Sequence, residues 1–328
     1  MSTEDRDNTT GTVDVEDKKM SRGRLAPSPT GAQHLGNART HLAAFWAARQ
    51  AGAELALRID DLDSPRVKSW AQDQAIEDLC WLGIDWDTTI AKQTNHLAQY
   101  RDAVERLRLQ GLIYPCYCSR KDIEEAISAP HESRFRGELA PYPGICSGYR
   151  VGDIIQEREH CFRFRVSSET LEFDDLLMGN QRCNPAEELG DFPVVSRNGQ
   201  ASYQLAVLID DQIQGVDQVV RGNDLVASTF RQIDLAGHLG LDSPSYAHVP
   251  LVRGLDGRRL AKRHGDTRLS FYRDCGIRPE MIVGWAAFSL GLIDRLEECQ
   301  ANEVIEQFAW SKLPEEDILI DPQTVFSH

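Results

Sequence analysis

Apolar positions follow two rhythms along this chain. From Arg22 the first unit begins: a short apolar segment runs through Pro27, Pro29 and Gly31, and beyond them Leu42, Phe45 and Trp46 recur at helical spacing with alanines between. Proline excludes helix interior and Gly31 permits a sharp turn, so the spacing predicts a strand, a tight loop and a helix starting near His34. The apolar run Glu54 to Asp60 predicts a buried strand, with Ser64 and Pro65 turning the chain after it. Trp70, Ile76, Leu79 and Cys80 predict a helix over 68–82 stopped by Gly83, and 96–110 a second one ended by Gly111. Strand and helix alternating in this way predict a mostly parallel sheet with covered faces.

The rhythm breaks after Ile113. Cys116, Tyr117 and Cys118 precede a charged helical stretch (120–127) and a loop rich in Pro and Gly around Tyr142 and Cys146. Positions 161–166 then alternate with period two, as a half-buried strand does. The main sheet is expected to resume at Phe192, with strands at Tyr203 to Ile209, 216–220 and 248–252. Helices are expected at 223–239, stopped by Gly240, at 279–290 and at 303–308. The division is a polar tail over 1–20, expected to be disordered, and a nucleotide-binding half over 21–112. An inserted subdomain over 113–191, a second half over 192–266 and a helical remainder over 267–328 follow.

Composition is that of a globular chain, 41% hydrophobic, with no apolar run of the ~20 residues needed to cross a membrane. The net charge is −15; residues 1–20 hold six acids against three bases, which leaves −12 on the rest. Such a body does not bind nucleic acid through its whole surface. Any RNA contact would therefore have to use a local cluster such as Arg253, Arg258, Arg259, Lys262, Arg263 and Arg268, which otherwise reads as a solvated loop. Eight unevenly spaced cysteines read as thiols and metal ligands, not as a disulfide framework, which with the polar N-terminus places the protein in the cytoplasm.

A helix N-terminus behind a tight loop suits phosphate or carboxylate. Here that junction carries His34-Leu35-Gly36-Asn37, and far downstream stands Arg259-Leu260-Ala261-Lys262-Arg263. The pair resembles the HIGH and KMSKS signatures of class I aminoacyl-tRNA synthetases. Arg24 with Ala26 to Gly31, Arg58 to Asp63, and Arg221 to Asp224 resemble the glutamyl branch of that family, over roughly residues 21–293. The resemblance implies an α/β, Rossmann-like catalytic domain with an inserted zinc-binding subdomain and a short helical C-terminal part. It implies an adenylate-forming ligase that uses ATP with Mg.

By the same resemblance His34 and Lys262 are catalytic, and His34, Gly36, Asn37, Arg259 and Lys262 meet ATP. Arg24, Leu25, Ala26, Pro27, Ser28, Asp60, Tyr203 and Arg221 form the glutamate site, with Asp60 at the α-ammonium. The chemistry suits those residue types, because a guanidinium pairs with carboxylate in bidentate fashion and a lysine on a mobile loop brings a point charge to phosphate. Three positions depart from the family pattern: Asp60 stands for glutamate, Arg259 for lysine and Ala261 for serine. Cys116, Cys118, Tyr142 and Cys146 resemble the branch's structural zinc site, with His131 as an alternative fourth ligand and three buried thiols as the reading without metal.

Only 66 residues follow Lys262, so no anticodon-binding domain is expected and the chain is expected to be a monomer. Shorter members of this kind in the branch transfer glutamate to the queuosine at the wobble position of tRNA(Asp). The expected partners are thus L-glutamate and the anticodon stem-loop of tRNA(Asp), with no membrane. A compact synthetase charging a tRNA 3′ end, or an inactive paralogue serving as a binding module, are the alternatives.

Overall fold

The computed structural model describes residues 21–62, 67–128, 141–155, 158–258, 260, 266–322 and 324–326. The tail reading for 1–20 and the turn at Ser64 and Pro65 lie outside them. The chain starts as read, with β1 (Arg22–Leu25), the loop, α1 (Leu35–Gln50), β2 (Glu54–Ile59), α2 (Ser69–Trp81) and α3 (Leu97–Leu109); the short β3 (Ala91–Lys92) before α3 is an element the sequence reading lacked. Strands β1, β2 and β3 are parallel, and Gly83 and Gly111 end their helices with positive φ. Ten residues of α1 are buried, Leu42, Phe45 and Trp46 among them, so this helix lies in the centre of the main core. Its Trp46 indole donates to Ala301 O at 2.8 Å, which ties the C-terminal part to it.

Next come β4 (Ile113–Cys116), α4 (Arg120–Ser128), β5 (Cys161–Phe164), β6 (Leu171–Asp175), β7 (Gly179–Cys183), α5 (Pro185–Glu188) and β8 (Phe192–Val195). Two of these depart from the reading of the sequence. Strand β8 does not resume the main sheet; it pairs antiparallel with β5, which pairs antiparallel with β4. Strand β6, from inside the span read as an insert, pairs parallel with a strand of the main sheet.

The largest correction concerns residues 203–209. They form a helix, α6 (Tyr203–Gln214), closed by Gly215 at φ 64°. A continuous apolar run is compatible with a buried strand or a buried helix, and only its length and its stop decide. Here the run continues through Asp210 and Asp211 to a left-handed glycine, and both acids are buried because they meet buried cations.

The chain closes with β9 (Gln218–Gly222), α7 (Val226–Leu239), β10 (Ser245–Val249), β11 (Val252–Gly254), α8 (Leu269–Asp274), α9 (Pro279–Ser289) and β12 (Ile318–Ile320). Pro250 splits the expected 248–252 strand into β10 and β11. Residues 301–307 form a 3₁₀ helix. Parallel β9 and β10 lie beside β1, where Asp217 N donates to Arg22 O at 3.0 Å. No helix among the described residues is long and apolar enough to cross a membrane.

Candidate functional site: a cationic cavity and a cysteine cluster

The C-terminal ends of β1, β2 and β9 and the start of α1 enclose a cavity of about 520 Å³, where α/β sheets place ligands. One end is built of buried charge. Arg58, with no exposed surface, donates from Nε to Asp60 Oδ1 at 2.7 Å and from Nη1 to Asp211 Oδ1 at 2.6 Å, and Asp210 lies 3.7 Å away. Burial disfavours this cation, but Asp60, Asp211 and Asp210 outweigh the effect and hold it charged. Burial likewise lifts the Asp60 carboxyl above its ordinary range, with Arg58 opposing. Asp210 is further gripped by Gln93, His96 and Tyr100 at 2.6–2.8 Å.

The helix α6 explains how these acids arrive. Tyr203, Val207, Asp210 and Asp211 fall at i, i+4, i+7 and i+8, one face of a helix. Tyr203 and Val207 line the cavity and the two aspartates sit behind it on Arg58. A strand would have sent alternate members to opposite sides.

Arg24 and Arg221 complete this end, each less than a tenth exposed. Arg24 Nη1 donates to Val220 O at 3.0 Å, and its Nε, 3.9 Å from Asp211, has no hydrogen-bond partner among the described residues. Arg221 donates through Nε to His248 and through Nη2 to Thr229, and its Nη1 is likewise without a partner. Burial, with Arg58 and Arg221 nearby, lowers the Arg24 pKa against the pull of Asp211. A buried guanidinium with an unpaired N–H is costly on its own and suits a carboxylate ligand.

At the other end His34 caps α1. Its Nδ1 accepts from Gly36 N at 3.1 Å and Asn37 N at 3.4 Å, while Asn37 Oδ1 accepts from His34 N at 3.0 Å. This reciprocal box fixes the ring and leaves its proton on Nε2. Gly36 leaves room for the cap: a Cβ there would stand 3.1 Å from the His34 ring, a tight contact that the ring would have to yield to. Leu35 N donates to Thr267 O, so the segment after the signature loop is pinned to the same helix end. His41, two turns on from His34, is held neutral by burial, Arg24 and His34, with its pKa pushed down to about 4.

The cysteine cluster lies apart, on the β4–β5–β8 sheet. The Sγ atoms of Cys116, Cys118 and Cys146 fall within 4.8 Å of one another. Tyr142 Oη lies 3.4 Å from Cys116 Sγ and 3.6 Å from Cys118 Sγ, and accepts from Cys146 N at 2.9 Å. A tetrahedral zinc with bonds of ~2.3 Å separates its sulphurs by roughly 3.8 Å, so this donor set fits the ion. The thiol of Cys116 is lowered to about 3, first by its hydrogen bond with Cys161 and then, against burial, by Tyr142 and Arg163. His131, the alternative ligand, lies outside the described residues.

Residues 20–324 match the family model described as tRNA synthetases class I (E and Q), catalytic domain. The chain belongs to this family. It is 49% identical over 315 residues to the glutamyl-Q tRNA(Asp) synthetase of Rhodopirellula baltica, covering 91% of this chain and 96% of that one. Against the protein of the same name from Symbiobacterium thermophilum the identity is 42%, over 93% and 98%. A glutamate–tRNA ligase of Hydrogenobaculum is 34% identical over 94% of this chain but only 66% of its own length. The crystal structure of a glutamate tRNA ligase from Elizabethkingia meningosepticum superposes with a TM-score of 0.77 at 22% identity, over 94% of this chain and 68% of that one. That likeness bears on the fold.

In this synthetase, a ligase by its family, the cavity gathers Arg24, Ala26, Ser28, His34, Gly36, Asn37, Asp60, Tyr203 and Arg221 from the residues singled out in the sequence. Leu25 is not among its walls: its side chain is 1% exposed in the main core. Pro27 borders a neighbouring cleft and accepts from Asp60 N at 3.1 Å. Arg259 and Lys262 lie outside the described residues, although Leu260 between them lines the cavity. Asp210, Asp211, His248 and Thr229 were not legible, because nothing local marks a polar residue in an apolar element as the partner of a distant arginine.

Proposed function

We propose that this synthetase activates L-glutamate with ATP and Mg, and transfers the glutamyl group to the queuosine at the wobble position of tRNA(Asp). The observation that carries the reading is the pair of buried guanidinium groups, Arg24 and Arg221. Each has an N–H without a partner among the described residues and little carboxylate to balance it, at the end of a cavity whose other end is the His34-capped start of α1. Arg24 and Arg221 take the side-chain carboxylate, Tyr203 adds a hydroxyl, and Asp60, held by Arg58, faces the α-ammonium. The α-carboxylate then attacks the α-phosphorus of ATP and pyrophosphate leaves. His34 and the first amides of α1 meet the phosphates, together with Lys262 and Arg259.

A hydroxyl of the acceptor nucleoside next attacks the mixed-anhydride carbonyl and AMP leaves. Near-complete mutual coverage with relatives named glutamyl-Q tRNA(Asp) synthetase supports this acceptor. Cys116, Cys118, Cys146 and Tyr142 would hold a zinc, and four protein ligands with no open position make its role structural. The basic cluster from Arg253 to Arg268 would meet stem phosphates.

The test offers labelled glutamate, ATP and the protein to an isolated tRNA(Asp) anticodon stem-loop containing queuosine, and to the same loop with guanosine. Label on the queuosine loop alone is expected. Robust charging of a tRNA(Glu) 3′ end with neither loop labelled establishes the compact glutamate–tRNA ligase instead. Absence of glutamate-dependent ATP–pyrophosphate exchange leaves a binding module.

A further inference from the structure

Behind Arg221 runs a buried chain of polar groups that the activation chemistry does not itself use. Three neighbouring parallel strands contribute one residue each: Asp175 ends β6, His248 lies in β10 and Arg221 in β9. Tyr246 is the Cα partner of Asp175, and His248 of Arg221. Asp175 Oδ2 accepts from His248 Nδ1 at 2.6 Å. His248 Nε2 lies 3.2 Å from the Arg221 Nε that donates to it and 2.9 Å from Thr229 Oγ1, which accepts in turn from Arg221 Nη2.

Asp175 is itself fixed. Its Oδ1 accepts from the amides of Leu177 and Met178 at 3.0 and 2.9 Å, and both oxygens face the amide of His248. Burial works against its ionisation, but His248 and these amides prevail and keep its pKa below the ordinary value. Neither Asp175 nor His248 borders the cavity, and both side chains are wholly buried.

The chain of bonds has one consistent proton arrangement. An arginine only donates, so His248 Nε2 must be the acceptor and the imidazole proton must sit on Nδ1, facing Asp175. Burial, joined by Arg221 and Arg24, lowers the His248 pKa despite Asp175, so the ring stays neutral. With Nε and Nη2 engaged, Nη1 is the guanidinium nitrogen left for a ligand. We propose that Asp175 and His248 are positioning residues of the amino-acid pocket, which fix Arg221 with Nη1 toward the substrate carboxylate; this rests on the glutamate reading above. Without Asp175 the imidazole is free to carry its proton on Nε2, where it opposes the Arg221 N–H and turns the guanidinium away.

The experiment compares Asp175→Asn, His248→Ala and His248→Gln with the wild type in the zinc-loaded full chain. ATP–pyrophosphate exchange gives KM for glutamate and for ATP separately. Asp175→Asn and His248→Ala are expected to raise KM for glutamate about 10- to 100-fold, with KM for ATP within about twofold, and to lower the melting temperature by several degrees while both variants stay folded at the assay temperature. In His248→Gln the amide oxygen accepts from Arg221 while its NH₂ meets Asp175, so most of the affinity returns. Nitrogen NMR should find the His248 proton on Nδ1 in the wild type and on Nε2 in Asp175→Asn.

Glutamate KM unchanged in Asp175→Asn overturns the proposal. So does a parallel rise of both KM values with loss of folding, or His248→Gln as impaired as His248→Ala. A wild type that shows no glutamate-dependent exchange overturns the parent reading instead, so the two failures are distinguishable.

Discussion

The cavity and the cysteine cluster both concentrate charge away from water, but they balance it differently. The cysteine set comes from one stretch, 116–146, and its donors turn toward one another: three sulphurs and a phenol within hydrogen-bonding reach, with Arg163 donating to Cys116 and lying over the Tyr142 ring. The cavity draws Arg24, Arg58, Asp60, Asp211 and Arg221 from distant segments, and it does not close on itself. Arg58 has its charge balanced by three aspartates, while Arg24 has one carboxylate at 3.9 Å and Arg221 has none in ion-pair range among the described residues; Arg24 Nε and Arg221 Nη1 are unmatched there, as is Arg58 Nη2. Closure suits a structural ion, and residual donor capacity suits a ligand that arrives and leaves. Charge balance thus separates a scaffold from a substrate site.

The contrast breaks most sharply at Arg24. Arg24→Leu leaves a carboxylate ligand facing a pocket short of one cation, where removing one partner of a buried charged pair costs about 2–5 kcal/mol. Glutamate-dependent exchange should fall by roughly 10²- to 10³-fold in kcat/KM. Normal apparent affinity for glutamate in that variant would take Arg24 out of the pocket.

Replacing a thiolate tests the closed site. Metal analysis should find one zinc per chain in the wild type, and Cys116→Ser should weaken zinc binding by more than about 100-fold. Hydrogen exchange should then rise in β4 and β5 while α1 and β2 stay protected, because the cluster packs on its own small sheet. Purified protein free of zinc with every thiol titratable would leave three cysteines that hold no metal.

The smallest effect belongs to the helix end. In Gly36→Ala the new methyl group presses on the His34 ring, and pushing a side chain off its rotamer costs about 0.5–1.5 kcal/mol. KM for ATP should rise about 3- to 10-fold with KM for glutamate unchanged, read from the same exchange assay. A rise in glutamate KM instead would join the two ends that the geometry keeps apart.

What the sequence determined by itself was local. Two prolines, a glycine and the helical spacing of Leu42, Phe45 and Trp46 fix a strand, a loop and a helix, because backbone sterics and side-chain period act over a few residues. The same holds for the helix stops at Gly83, Gly111 and Gly240 and for the spacing of Cys116, Cys118, Tyr142 and Cys146. Signature residues 24, 34, 60 and 221 were legible through family resemblance. Tertiary structure decided the rest. Residues 203–209 read as a strand because an apolar run lacks a period; packing on Arg58 makes them a helix that carries Asp210 and Asp211 two turns on. Phe192–Val195 joined the cysteine sheet and Leu171–Asp175 the main one, since strand pairing is set by partners distant in sequence. A buried aspartate or histidine such as Asp175 or His248 has a role only once the fold brings its arginine within hydrogen-bond reach, and no local pattern records that distance.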